Sequence, residues 1–248
     1  MEAAVLPIPA KVQRRVSGIK LFGDGANLRD FELLYKEGRV DGFTTNPTLM
    51  YKAGITDYQR FAHDLIDLIP DLPISFEVFS DEFDEMERQS LLIDSWGEHI
   101  YVKIPVTNTR GESSAPLIRR LTAEGIKVNV TAILTLGQVA AVVDALEADV
   151  PAIVSVFAGR IADTGVDPIP VMMATVGLCS LKPKAEVLWA SPREVLNIYQ
   201  ARDCGCQIIT ATPDILKKLD MSGMNLDRLS LDTVAMFYRD ALAAQFRL

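Results

Sequence analysis

The stretch His99-Ile100-Tyr101-Val102-Lys103-Ile104-Pro105-Val106-Thr107 decides how this chain is read. Its β-branched and aromatic residues describe a short buried strand, yet a lysine sits inside it. Burying an ammonium is costly unless it is paired or gives up its proton. Two explanations follow. Lys103 is an ion-paired residue at a strand end, or it is an amine nucleophile able to form a Schiff base with a carbonyl compound. The rest of the chain has to separate them.

Outward from this segment, similar runs recur at Gly18–Phe22, Gly42–Thr45, Ile74–Phe79, Lys127–Thr131, Ala152–Phe157, Glu186–Ala190 and Gln207–Thr210. Amphipathic stretches with helical spacing separate them. Pro192 and Pro213 stand where a proline opens a helix well, and Asp57 and Thr135 are suited to capping one. Eight strands, each followed by a helix, predict parallel β/α units and an α/β fold, a single (β/α)8 TIM barrel spanning residues 1–248. A doubly wound open sheet is the rival. It needs a glycine-rich phosphate turn after the first strand, and Gly23-Asp24-Gly25 lacks the third glycine. Residues 1–17 precede the repeat as an extension. Residues 230–246 follow it as an additional C-terminal helix, with Leu231, Val234, Phe237, Leu242 and Phe246 as an apolar stripe suited to covering the barrel mouth or docking on another subunit.

In a barrel, chemistry gathers at the C-terminal ends of the strands. Polar residues fall there strand after strand: Asp24, Thr44-Thr45-Asn46, Glu77, Lys103, Asn129 with Thr131, Ser155 leading to Arg160, and Ser191 with Arg193. Each has an ordinary explanation. Asp24 could cap the first helix, Asn46-Pro47 is a turn signal, Glu77 could be the ion-pair partner of Lys103, and Arg160 could be a surface side chain. A ring of them around one lysine is harder to explain as packing.

Composition narrows the alternatives. The chain has 248 residues, 33 acidic and 25 basic, with a formal charge of −8. No basic excess or stripe marks a nucleic-acid binder. No run approaches the roughly 18 apolar residues that span a bilayer, and the start of the chain lacks the pattern of a signal peptide. The three cysteines, Cys179, Cys204 and Cys206, read as free thiols in a reducing, cytoplasmic setting. With only His63 and His99, neither a His-rich metal site nor a Ser-His-Asp triad can be assembled at the strand ends, so no metal and no cofactor are expected.

The segments Gly42-Phe43-Thr44-Thr45-Asn46-Pro47-Thr48, Val102-Lys103-Ile104-Pro105, Val128-Asn129-Val130-Thr131 and Ser155-Val156-Phe157-Ala158-Gly159-Arg160-Ile161 resemble the transaldolase family, which includes short transaldolases and fructose-6-phosphate aldolases. The resemblance runs from about residue 19 to 219. It implies a class I aldol mechanism on a (β/α)8 barrel, with Lys103 as the Schiff-base lysine. It implies that Asp24 moves the proton of the C4 hydroxyl, and that Glu77 and Thr131 handle a catalytic water. Asn46, Asn129 and Ser155 match groups that bind the dihydroxyacetone portion, and Arg160 and Arg193 match phosphate-binding arginines. Phe157 and Ser191 join the substrate-binding set.

Within the family, the aldolase branch resembles a glutamine at the Glu77 position and a tyrosine at the Phe157 position. This chain carries the transaldolase-like choices. The implied reaction converts sedoheptulose 7-phosphate and glyceraldehyde 3-phosphate to erythrose 4-phosphate and fructose 6-phosphate, in the pentose phosphate pathway. The alternatives are an aldolase-like release of dihydroxyacetone, a specialised biosynthetic transaldolase, and a non-catalytic phosphosugar-binding barrel. The expected partners are sugar phosphates, without nucleic acid or membrane, and further copies of the chain in a homo-oligomer, a pentamer or decamer. The chain departs from the family at Phe22-Gly23-Asp24-Gly25, at Trp189 and at Pro192, which leaves the acceptor and the sugar length open.

Overall fold

The β-rich runs become strands because their apolar residues must be covered on both faces, and a closed parallel barrel wrapped in helices does this. A computed structural model describes residues 16–247, so most of the expected N-terminal extension lies outside the described residues. The strands are β1 (Lys20–Asp24), β2 (Gly42–Thr44), β3 (Ile74–Glu77), β4 (Ile100–Pro105), β5 (Val128–Ile133), β6 (Ala152–Val156), β7 (Ala185–Trp189) and β8 (Ile208–Ala211). Each pairs in parallel with the next, and β8 closes onto β1.

Among the described residues the helices are α1 (Leu28–Lys36), α2 (Pro47–Lys52), α3 (Tyr58–Leu68), α4 (Phe83–Asp94), α5 (Ala115–Ala123), α6 (Leu136–Ala145), α7 (Ala158–Asp163), α8 (Ile169–Cys179), α9 (Leu196–Asp203), α10 (Pro213–Lys218) and α11 (Leu226–Ala243). Local chemistry starts several of them. Asp57 caps α3 by accepting from the Arg60 amide at 3.0 Å. Thr135 and Gln138 form a reciprocal capping box on α6. Asn27, rather than Asp24, caps α1, which frees the Asp24 carboxylate.

Strand alternation sorts the apolar residues into two groups. Outward-facing Leu21, Phe43, Phe76, Val102, Val130, Val154, Trp189 and Ile209 pack under the helices. A separate inner cluster of Phe22, Ile153, Leu188, Ala190 and Ile208, with Tyr101 and Phe157 against it, fills the barrel. Phe22 is admitted because its register partner is Gly42: a Cβ there would lie 2.6 Å from the Phe22 ring. This apolar plug leaves the inward positions nearer the strand C-termini to polar side chains.

Three expectations need correction. Pro192 does not open a helix, since α9 begins at Leu196. Ser191 instead adopts φ 63°, and the Asn197 side chain accepts from the Arg193 and Glu194 amides, holding a non-helical turn. The third strand stops at Glu77, and Phe79 is 62% exposed. The C-terminal helix begins earlier than residue 230, at Leu226, because Asn225 caps it through the Arg228 amide at 2.9 Å. That helix buries none of its side chains, so it does not seal the barrel mouth. Among the described residues no helix is long and apolar enough to cross a membrane.

Candidate active site

Period-two alternation in parallel strands sends Asp24, Thr44, Glu77, Lys103, Thr131, Ser155 and Thr210 to the inside of the barrel near its C-terminal end. The registers Asp24↔Thr44 and Glu77↔Lys103 set neighbours at one height. Together with loop residues they line a cavity of about 550 Å³.

Lys103 sits in the wall of this cavity at 6% exposure. Its Nζ is 2.9 Å from Glu77 Oε2 and donates to the Thr45 carbonyl oxygen at 2.9 Å. The ion pair anticipated as the ordinary explanation for Lys103 therefore exists. It also lies inside a cavity lined by other polar groups, where a proton passing from Lys103 to Glu77 would leave a neutral amine facing a ligand. Tyr58 supports this pair from α3: its hydroxyl donates to the Glu77 carbonyl oxygen at 2.8 Å. Burial, then the nearby Glu77 charge, pushes the Tyr58 hydroxyl above its ordinary value of 10.0, so it remains a proton donor.

Asp24 Oδ1 accepts from Thr44 Oγ1 at 2.8 Å, and Thr44 Oγ1 is 2.5 Å from Thr210 Oγ1. Desolvation raises the Asp24 carboxyl above its ordinary 3.8, and Glu77 adds to this. Lys103 and the Thr44 hydrogen bond oppose it.

Thr131 Oγ1 is buried without a hydrogen-bond partner among the described residues. A buried hydroxyl in this state calls for water or a ligand. The chain is irregular just beyond it, where Ala132 takes φ 61° and the β5–β6 register shifts between Val130 and Ile133.

The expected substrate-binding residues fall into three places. Ser155 and Asn46 line the cavity, and the Asn46 side chain also caps α2 by accepting from the Leu49 amide at 3.0 Å. Asn129 is fully buried and does not line the cavity. Its Nδ2 donates to Ser75 Oγ at 2.9 Å and its Oδ1 accepts from Ser155 Oγ at 2.6 Å, so it orients Ser155. Phe157, Arg160, Ser191 and Arg193 form one side of the mouth.

The two arginines differ. The Arg160 guanidinium rests 5.3 Å from the Phe157 ring centroid and pairs with no carboxylate among the described residues. Arg193 grips Asp163 with two nitrogens and sends a third to Ser191 Oγ at 2.9 Å and to the Ser191 carbonyl oxygen at 3.1 Å. That grip holds the Asp163 carboxyl below the ordinary value. Gly159 makes this corner possible, since a Cβ there would stand 1.6 Å from the Ser191 carbonyl oxygen.

Thr210, Tyr58, Asp163 and Lys52, which also lines the cavity, were not singled out from sequence. Thr210 was findable: it is an inward polar residue near the C-terminal end of the eighth strand, as Lys103 and Glu77 are on theirs. Tyr58, Lys52 and Asp163 lie on helices, where no strand-end argument reaches. The cysteines are free and buried. Burial pushes the Cys179 and Cys206 thiols up to about 12, which leaves them protonated.

The fold and this cavity define a (β/α)8 barrel with a buried lysine near the C-terminal ends of its strands. The solved structures it resembles include KGPDC from Streptococcus mutans, at TM-score 0.52 and 12% identity over 80% of this chain and 90% of that one. A native KDPGal structure matches at TM-score 0.53 and 14% identity over 95% and 100%. These likenesses concern the fold alone. In sequence, a family model described as Transaldolase/Fructose-6-phosphate aldolase matches residues 21–248. A probable transaldolase of Dehalococcoides mccartyi is 32% identical over 202 residues, 81% of this chain and 90% of that protein. Probable transaldolase 2 of Listeria monocytogenes is 33% identical over 204 residues, 81% of this chain and 88% of that protein. The chain belongs to the transaldolase/fructose-6-phosphate aldolase family.

Proposed function

We infer that this chain is a transaldolase that moves a dihydroxyacetone unit between sugar phosphates through a Schiff base on Lys103. The observation that carries the reading is the buried Lys103–Glu77 contact of 2.9 Å, inside a cavity that Asp24 and Thr131 also line.

In the first step Glu77 takes a proton from Lys103 and the free amine attacks the C2 carbonyl of the ketose phosphate. A proton passes from the attached nitrogen to the new alkoxide, Glu77 protonates the resulting hydroxyl, and water leaves to give the iminium. Thr131, with its unpartnered hydroxyl, holds that water. Asp24 next accepts the proton of the C4 hydroxyl. The C3–C4 bond breaks, its electron pair flows to the iminium nitrogen, and the C4 fragment departs as an aldehyde phosphate. The enamine attacks the carbonyl carbon of the acceptor aldehyde, and Asp24 returns its proton to the new alkoxide. Water, activated by Glu77, releases the product ketose and restores Lys103. Ser155, held by Asn129, and Asn46 bind the hydroxyls of the three-carbon unit. Arg160 meets the phosphate, and Arg193 shapes that end of the site; guanidinium groups suit a phosphate dianion.

Transfer is favoured over release of dihydroxyacetone by two residues. Glu77 is an ionisable acid/base, whereas the aldolase branch resembles a glutamine there. Phe157 at the mouth presents no hydroxyl to activate water. The names of the curated relatives point the same way. The enzyme works in the cytoplasm, in the pentose phosphate pathway, as a homo-oligomer. Support for assembly comes from α11, where Val234 is 60% exposed and Phe237 62%; a monomeric mass by light scattering would exclude it.

The test supplies fructose 6-phosphate and erythrose 4-phosphate. The expected product is sedoheptulose 7-phosphate. Free dihydroxyacetone without sedoheptulose 7-phosphate would overturn the transaldolase reading in favour of an aldolase.

A further inference from the structure

Thr44 has one proton and two hydroxyl-distance partners. Its Oγ1 lies 2.8 Å from Asp24 Oδ1 and 2.5 Å from Thr210 Oγ1. A carboxylate only accepts, so the Thr44 proton is spent on Asp24, and the Thr44–Thr210 contact is made by Thr210 donating. Thr44 is 2% exposed and Thr210 5%, so bulk water does not replace either contact. The three residues come from β8, β2 and β1, and β1 pairs with both of the others. The chain of hydroxyls therefore rests on rigid backbone at the seam where the barrel closes.

We propose that Thr210 is a positioning residue for the aldol step: by donating to Thr44 it commits the Thr44 proton to Asp24 Oδ1, leaving Oδ2 to meet the C4 hydroxyl of the sugar. The proposal rests on the reading of Asp24 as the carboxylate that moves this proton. Consecutive hydrogen bonds polarise one another, so Thr210 strengthens the donation Asp24 receives. The ionised carboxylate gains by this against the burial that disfavours it. The charged groups facing Asp24 are Lys103 on β4, which favours the carboxylate, and Glu77 on β3, which opposes it. Strands β2 and β8 bring no ionisable residue. During cleavage Asp24 Oδ2 gains the C4 hydroxyl proton and the C3–C4 electron pair passes to the iminium nitrogen. Thr44 and Thr210 neither gain nor lose a proton.

The test compares Thr210→Val, which keeps the shape and deletes the hydroxyl, with Thr210→Ser, which keeps the donor; Thr210→Ala makes the same deletion if the valine variant does not fold. The Asp24 carboxyl is titrated in the full chain by carbon-13 NMR, with Asp24→Asn used for assignment. The deletion should raise its midpoint by roughly 0.5 unit, and the serine variant should titrate like wild type. In fructose 6-phosphate cleavage, the acidic limb of the rate profile should move up with it. The turnover number should fall several-fold while KM stays near wild type. A deletion variant that titrates like wild type, or a serine variant that shifts as far as the deletion, overturns the proposal. The NMR readout needs no turnover. Failure of the Schiff-base reading would show separately, as absence of a borohydride-trapped adduct on wild-type Lys103.

Discussion

Lys103 Nζ and Glu77 Oε2 lie 2.9 Å apart on adjacent strands, with side chains only 7% and 14% exposed. Pairing offsets the desolvation of both charges, and removing one partner strands the other. Glu77→Leu should therefore lower stability by about 3 kcal/mol, measured by urea unfolding. Glu77→Gln keeps the volume and a hydrogen bond while losing the acid/base group. It should slow imine formation by about 10²-fold or more, read by rapid-quench borohydride trapping. An imine rate equal to wild type in Glu77→Gln would remove Glu77 from the water-handling role.

Replacing Lys103 by methionine deletes the nucleophile but retains the alkyl stem. Transfer activity should fall at least about a thousandfold, and mass spectrometry after borohydride treatment should find no substrate adduct. An adduct of unchanged yield in Lys103→Met would place the Schiff base elsewhere.

Asp24 couples activity to a stability cost. Its carboxyl is raised above 3.8, chiefly by burial. A raised carboxyl favours folding only while protonated; that contribution is lost as pH rises from 3.8 through the higher folded-state value. At neutral pH the buried charge therefore costs stability. Asp24→Asn should be more stable than wild type at pH 7, with the difference vanishing toward pH 3, while catalysis is lost. Thermal melts of both proteins across that range check the sign.

A Cβ at position 159 would sit 1.6 Å from the Ser191 carbonyl oxygen, which is backbone and cannot swing aside. Gly159→Ala should destabilise the protein by about 1–3 kcal/mol and displace the turn carrying Ser191 and Arg193. KM for phosphorylated substrates should rise more than the turnover number falls, as steady-state kinetics would show.

Arg160 is the mouth arginine without a carboxylate partner among the described residues, whereas Arg193 is held by Asp163. Arg160→Met should raise KM for fructose 6-phosphate by about tenfold or more, the loss expected of a charge-assisted contact, with little effect on unphosphorylated fructose. Arg193→Met should instead lower both stability and affinity, because it also releases Asp163 and Ser191. Equal effects of Arg160→Met on the two sugars would argue against a phosphate contact.

Most of the barrel was legible along the chain. Eight β-rich runs alternating with helical stretches left one economical architecture, and the strand-end polar residues pointed to one face. Errors arose where backbone geometry depends on a neighbour. Pro192 looks like a helix start in isolation, but Asn197 accepts from the Arg193 and Glu194 amides and holds a non-helical turn there. Asn129 is a different case: only the fold shows that its side chain is engaged by Ser75 and Ser155 and does not line the cavity.

Sequence alone determined the α/β barrel, the family resemblance and the cluster of Asp24, Glu77, Lys103 and Thr131 at strand ends, because strand periodicity and residue type are local properties. Tertiary structure decided which groups are already engaged. Asp163 occupies Arg193, Thr45 and Glu77 share the Lys103 ammonium, Thr210 reaches Thr44 across the closing seam, and the Thr131 hydroxyl is left without a partner among the described residues. These are meetings between residues distant in the chain. They depend on register and barrel closure, which bring hydrogen-bonding groups within about 3 Å only once every strand is in place.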